Sequence, residues 1–350
     1  MSLLFVEGFE WLGTGVDAYT PANMLAQKYY DAPAANKTYL RAGRTGGYAL
    51  EGIYNNAITL WPYNGTFPTT SPVWIVGFGL RPTTNWGSMT VLTFRKSSTN
   101  GLTLKLNPTT KEIEVYDRTP VLLGSTVGVN LTAGTWYYVE IKITDAVAGT
   151  VEIHVNGQVV CYLTNKDTTA DGTAGYNSMY WGLGYYSVYP VRIDDLYVCN
   201  GAGSTNNDFL GNVQIRAIFP TSDGSSVEWG LSAGSDHYAL VDEAPDTGDT
   251  DYVTADSAGT EDTYGCSDAE DLGTIHGTQI NITMKEMSAA VVPTMNSLIY
   301  SNATLYPQTV NAAITTAYKS YYTINETDPA TSAAWSLANL NAAEFGVKRV

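Results

Sequence analysis

Positive charge is what this sequence has least of: 18 Lys and Arg stand against 34 Asp and Glu, a net charge of −16. Duplex nucleic acid is held by Lys and Arg that neutralise phosphates, so nucleic acid is not an expected partner. Anionic membrane surfaces are disfavoured for the same reason. Long apolar runs are missing too, and nothing approaches the ~20 apolar residues of a membrane-spanning helix. Cysteine is scarce and odd in number. Cys161, Cys199 and Cys266 lie far apart, which fits neither a disulfide framework nor a metal-ligand spacing. The opening Met1-Ser2-Leu3-Leu4-Phe5-Val6-Glu7 has no basic segment and meets Glu7 too soon for a secretion signal, so synthesis in a reducing cytoplasm is expected. Six Asn-x-Ser/Thr sequons, beginning at Asn36, Asn64, Asn130, Asn281, Asn302 and Asn325, carry little weight in a chain this rich in Asn and Thr.

Only 15% of residues are charged, and the polar character comes from Thr, Asn, Ser, Gly and 25 Tyr. That mixture favours pleated, half-buried surfaces joined by turns over helices. The expected fold class is all-β, and 350 residues suit two domains at ~150 residues each. Apolar-polar alternation predicts strands at Val73–Leu80, Met89–Phe94, Leu102–Leu106, Ile113–Tyr116, Trp136–Ile143, Thr150–Val155, Gln158–Leu163, Met179–Gly184 and Val191–Val198. Asn156-Gly157 between two of these is a strong signal for a type I′ hairpin turn. No amphipathic helix is expected before residue 300, and alternation returns at Gln279–Met284, Ser297–Tyr300 and Ala317–Ile324. The small-residue stretch Asn200-Gly201-Ala202-Gly203-Ser204 reads as a linker, dividing the chain into domains 1–203 and 208–350.

Between Arg216 and Lys285 there is no Lys or Arg, while Asp and Glu number 14. The expectation is a solvated acidic surface, with residues 236–271 as an outward-facing excursion. Asp246, Asp249 and Asp251 form a weak candidate metal site, because three carboxylates in six residues lack the spacing and closing Glu of an EF-hand loop. Asp246-Thr247-Gly248 also matches the aspartic-protease triplet, but it occurs once, amid other acids, and reads as coincidence. His154, His237 and His276 lie beside no nucleophile elbow, and no His/Cys cluster offers zinc ligands. Aromatic faces that could stack on sugar rings are dense at Tyr176-Asn177-Ser178-Met179-Tyr180-Trp181, Tyr185-Tyr186-Ser187-Val188-Tyr189, Asn85-Trp86 and Trp61-Pro62-Tyr63-Asn64. The candidate carbohydrate-binding residues are Trp86, Tyr180, Trp181, Tyr185 and Tyr186, set against the alternative that they fill a core or an interface.

Four stretches resemble the concanavalin A-like (laminin G-like) jelly roll over about residues 1–200. They are Phe5–Glu10, Arg44–Leu50, the pair Gly134–Glu140 with Gly149–Gly157, and Ile193-Asp194-Asp195-Leu196-Tyr197-Val198. The resemblance implies an N-terminal jelly-roll sandwich, here followed by a second, smaller β-sandwich. It admits glycosidases, but Glu112-Ile113-Glu114-Val115-Tyr116-Asp117 departs from the hydrolase spacing and reads as a solvent-facing strand. It also admits calcium, to which Asp194 and Asp195 could contribute, although a strand-end capping role suits both better. The remainder resembles bacteriophage virion proteins, through Asp208–Arg216, Pro220–Gly224, Asp328–Ser336 and Leu340–Val347.

That resemblance implies a non-enzymatic virion surface protein, made in the host cytoplasm: a head-decoration, head-fibre or tail-associated component. It would act by protein–protein assembly with other virion proteins, as a homo-oligomer on the particle, with no membrane or nucleic-acid partner. No cofactor is expected, calcium being the one ion left open. The alternatives are a host-glycan-binding receptor protein and, further off, a polysaccharide depolymerase.

Overall fold

The computed structural model describes residues 2–13, 15, 22–31, 38–52, 57–62, 67, 71–83, 87–185, 189–287, 293–310 and 312–350. The chain forms two compact units, Met1–Ile215 and Arg216–Val350.

In the first unit, strict alternation makes the strands two-faced. Val151, Ile153 and Val155 are buried while Glu152 and His154 point away, as a period of two requires. The turn at Asn156-Gly157 has φ of 51° and 78°, the pair of positive values that a type I′ turn needs, and it sets Val155 opposite Gln158. One antiparallel sheet runs in the order Gln158–Lys166, Gly149–Val155, Tyr137–Thr144, Val73–Pro82, Tyr189–Asn200, Tyr48–Gly52, Thr38–Ala42, with Leu3–Glu7 added to Tyr189–Asn200. A second, seven-stranded sheet runs Leu122–Ser125, Glu112–Tyr116, Thr99–Asn107, Met89–Lys96, Ser178–Gly182, Ala57–Pro62, Tyr29–Asp31. The sheets enclose one core, in which Phe78 of the first meets Trp181 of the second edge-on at 4.7 Å. This is a jelly-roll β-sandwich, and every strand predicted from the sequence in this half is present.

Two features differ from the sequence reading. A short helix, Ala22–Lys28, precedes residue 300; its Ala-Asn-Met-Leu-Ala-Gln-Lys run is rich in good helix formers but too short to show a periodic face. Of it, Leu25 is buried, and Lys28 pairs with the buried Glu7 at 2.6 Å. The first unit also extends past residue 203, to Ile215. The Gly201–Ser204 stretch is anchored, since Gly203 N–H donates to Ser2 Oγ at 2.9 Å. Beyond it, Gly211 N–H donates to buried Glu140 at 2.8 Å, Leu210 N–H to the Tyr197 hydroxyl at 3.2 Å, and Ile215 N–H to Asp195 at 2.7 Å. Arg44 bonds Asn212 and the Val213 carbonyl from the same side. A fragment 1–215 should therefore melt several degrees above 1–203, which leaves Glu140 and Tyr197 short of partners. Equal melting temperatures by circular dichroism would show that residues 204–215 add nothing.

The second unit is smaller. Its five-stranded antiparallel sheet runs Pro220–Val227, Glu261–Cys266, Glu344–Arg349, Met295–Ser301, Thr304–Thr309. A separate ribbon, Thr278–Met284 with Lys319–Asn325, is joined to it through Ser297 and Thr323 hydroxyls 2.7 Å apart. Ile299, Trp335, Leu340 and Ala343 form one cluster of its core, with Ile280 and Phe345 packed on them. The helix Leu337–Ala342 is capped by Ser336, whose Oγ accepts from Asn339 N–H at 3.1 Å. The expectation that residues 236–271 form an outward acidic excursion holds only in part. Glu261–Cys266 is an interior strand of the sheet, Asp262 is fully buried, and Glu261 pairs with Lys348 at 2.8 Å.

Candidate functional site: a groove on the seven-stranded sheet

The second sheet of the jelly roll turns Leu92, Phe94, Leu104, Ile113, Val115, Met179 and Trp181 into the core. Alternation sends their neighbours to the other face, and antiparallel register then aligns those neighbours. Tyr180 stands opposite Thr93, Thr93 opposite Thr103, and Thr103 opposite Tyr116. This row crosses four strands, so its terminal tyrosines are about 14 Å apart at the usual strand spacing. On one side of the row lie Arg95 and Asn100, which are register partners, and on the other Thr90, Lys105 and Glu114. Except for Glu114, these residues line an open groove of about 510 Å³, with Asp117 and Arg118 at its rim. That volume lies within the ~300–1,000 Å³ usual for small-ligand sites.

Several of the polar groups are held in place by one another. Glu114 accepts from Asn107 Nδ2 at 2.7 Å and from the Tyr116 hydroxyl at 2.8 Å. The bond to this carboxylate, with some desolvation, raises the Tyr116 pKa, so the ring stays a neutral phenol. Lys105 Nζ sits 4.3 Å from the Tyr116 ring centroid, and the Arg95 guanidinium 5.8 Å from that of Tyr180. The Thr93 and Thr103 hydroxyls are 3.2 Å apart on the floor. Arg118 is tied to Asp167 at 2.6 Å, and Asp117 accepts from Thr119 and Val121 N–H, closing a turn.

Such a surface offers ring faces, hydroxyls and fixed charge in a wet, open trough. Among the described residues, one carboxylate, Asp117, lines it, whereas glycoside hydrolysis needs two facing one bond. Glu114 is engaged as described, and Glu112 accepts from Ser125 Oγ at 2.9 Å. The histidines lie elsewhere: His154 bonds Glu152 at 2.8 Å, and His237 bonds Asp262 at 2.6 Å.

Of the sugar-binding candidates, Tyr180 is in the groove. Trp181 is not; it is fully buried against Phe78, because the residue after an outward-facing one on a strand must face inward. Tyr185 lies on the two-residue strand Gly184–Tyr185, its side chain outside the described residues, as are Trp86 and Tyr186. Tyr176 is core, its hydroxyl accepting from Leu102 N–H at 2.8 Å. Among the described residues no group of three or more His, Cys, Asp or Glu converges to hold a metal ion. Asp249 bonds Lys285 at 2.5 Å and Tyr318 at 3.0 Å, Asp251 accepts from Thr247, and Asp246 is half-buried. Nor do Asp194 and Asp195 fit a calcium shell. Their oxygens accept from Arg44 N–H at 2.6 Å, Arg44 Nε at 2.8 Å, Asp195 N–H at 2.7 Å and Ile215 N–H at 2.7 Å.

The sequence reading missed Thr93, Arg95, Thr103, Lys105 and Tyr116. A signal was present, since Thr93-x-Arg95, Thr103-x-Lys105 and Glu114-x-Tyr116 each put two polar or amphipathic residues on the outer face of a strand. Only the register shows that these faces adjoin.

No protein-family model matches the chain, and no curated protein matches it. Solved structures do match. Alginate lyase Aly36B aligns at a TM-score of 0.37 and 14% identity, over 56% of this chain and 96% of its own. Domain 4 of AbnA, a GH43 extracellular arabinanase from Geobacillus stearothermophilus in complex with arabinotriose, aligns at 0.39 and 13%, over 57% and 92%. The carbohydrate-binding module CBM66 from Bacillus subtilis aligns at 0.33 and 9%, over 47% and 92%.

Proposed function

We propose that the first unit binds a glycan chain along the groove of its seven-stranded sheet and does not cleave it. The observation that carries this reading is the row Tyr180, Thr93, Thr103, Tyr116, with an aromatic ring at each end of a hydroxyl-lined floor. Sugar rings present an apolar face that stacks on aromatics and an equatorial belt of hydroxyls that hydrogen-bond to Thr and Asn, so the floor and its ends match both parts. An open trough suits a polymer, which enters sideways and needs no lid. Binding without cleavage accords with the engagement of Glu112 and Glu114 by Ser125, Asn107 and Tyr116.

The test is affinity electrophoresis and calorimetry of the full chain against a panel of neutral and acidic polysaccharides. Tyr116→Ala and Tyr180→Ala should each weaken binding about tenfold or more, for a stacking contact worth roughly 1.5 kcal/mol, with the melting temperature little changed. Retention of full affinity by the double variant would sink the groove as the site. Release of new chain ends from a bound polysaccharide would sink the non-catalytic part.

A further inference from the structure

Resting on the glycan-binding reading, we infer that the ligand is an acidic polysaccharide bearing carboxylate groups. The chain as a whole is strongly acidic, yet three cations, Arg95, Lys105 and Arg118, line the groove against one carboxylate, Asp117. Arg118 and Asp117 are already occupied by Asp167 and by the 117–121 turn. The other two cations are not occupied in this way.

Lys105 stands directly across from Glu114 in the register, the position where opposite charges ordinarily pair. Here they do not. Glu114 is turned to Asn107 and Tyr116, and Lys105 Nζ lies over the Tyr116 ring instead. Arg95 donates Nη2–H to the Ser98 carbonyl at 2.8 Å, and its Nε is buried with no acceptor. Neither cation has an ion-pair partner among the described residues; Lys28, Arg41, Arg44, Lys96, Lys142, Arg192, Lys285 and Lys348 do, while Arg81 and Arg349 bond backbone carbonyls away from the groove. A guanidinium in a groove wall with no carboxylate beside it is suited to an incoming planar anion.

The two cations flank the aromatic row on opposite sides. Arg95 is two residues from Thr93 along its strand, and Lys105 two residues from Thr103, so they are separated by about 13 Å. A polymer lying along the row passes between the two, and charged groups on both of its edges would meet them, so it carries more than one charge. Aromatic ends, hydroxyl floor and spaced cations together fit a polymer of carboxylated sugars.

The experiment compares a polyuronate, a neutral glucan, a sulfated glycan and polyglutamate, each titrated into the full chain at low and high salt. The expected result is selective binding of the polyuronate, weakening as salt rises. Lys105→Gln and Arg95→Gln should each reduce that affinity about tenfold, the loss typical of one charge-assisted hydrogen bond. Tyr116→Ala should reduce it as well. Equal or tighter, salt-insensitive binding of the neutral glucan would overturn the inference and leave the glycan-binding reading intact. Preference for the sulfated glycan would overturn the choice of carboxylate. Binding of polyglutamate that survives Tyr116→Ala would reduce the groove to an ion exchanger. If no glycan binds, the underlying reading fails with it.

Discussion

Replacing Asp262 with alanine should unfold the second unit, or bring it to the edge of unfolding, near room temperature. Asp262 is fully buried on an interior strand of the five-stranded sheet. One oxygen accepts from Glu228 N–H at 2.7 Å and Trp229 N–H at 2.9 Å. The other is bonded to His237 Nδ1 at 2.6 Å and to the Tyr264 hydroxyl at 3.3 Å. Truncation leaves the buried His237 and Tyr264 without this partner and takes an acceptor from Trp229 N–H, while Glu228 N–H keeps the Glu261 carbonyl at 3.2 Å. Each buried polar group left without its partner costs about 1–3 kcal/mol, against a total of roughly 5–15 for a domain. Asp249→Ala is the matched control from the same acidic segment. Its carboxylate is largely exposed and bonds Lys285 in solvent, so its loss should leave the melting temperature little changed. Thermal unfolding followed by tryptophan fluorescence separates the two. Melting of both variants within a degree of the wild type would show that the Asp262 network is not what holds this unit.

The contrast between Asp262 and Asp249 also shows what the sequence could convey. Both belong to one run without a single Lys or Arg, and composition treats them alike as solvated acid. One is the hub of a buried network and the other a surface partner of Lys285, a distinction set by pairing with strands about eighty residues further on. The strands of the jelly roll were legible because alternation and the Asn-Gly turn are local signals. The groove was not, because it is assembled from Met89–Lys96, Thr99–Asn107 and Glu112–Tyr116 together with Ser178–Gly182, which joins them from some sixty residues away. Tyr180 and Trp181 illustrate the limit. A strand must send one of two adjacent aromatics inward, and the residues alone do not say which.

The stretches that carried the virion resemblance have work to do within their own units. Asp328 is fully buried and organises its turn, accepting from Ala330 N–H at 2.9 Å and from Asn339 Nδ2 at 2.8 Å. Asn212, Val213 and Ile215 hold the end of the first unit against Arg44 and Asp195. These roles account for the residues by fold stability, independently of where the protein is deployed. The groove, in contrast, keeps Lys105 and Arg95 beside aromatic rings with no ion-pair partner among the described residues, an arrangement that stability alone does not ask for.

The melting temperature of the first unit should fall as pH rises from about 6 to about 8, by roughly 5–10 °C. The cause is Glu10, whose pKa is raised from its ordinary 4.5 to about 9, chiefly by burial and further by the charges of Asp194, Glu7 and Asp195. Asp194 is shifted upward as well, by burial and by Asp195. The nearby cations are already engaged, Lys28 with Glu7 and Arg44 with Asp195. A raised acid keeps its proton in the folded chain over a window in which the unfolded chain has released it. Folding then takes up protons, so stability is full below about pH 4.5 and is lost as pH climbs toward 9. Within that window one such group costs about 1.4 kcal/mol per pH unit. Glu10→Gln imitates the protonated acid and should flatten the profile while leaving the value at the acidic end nearly unchanged. Millimolar calcium should not restore the loss at about pH 8, since the oxygens of Asp194 and Asp195 already accept hydrogen bonds from Arg44, Asp195 and Ile215. A flat wild-type profile, or the same slope in Glu10→Gln, would remove Glu10 as the cause, and a calcium-dependent rise would mean that these carboxylates hold an ion.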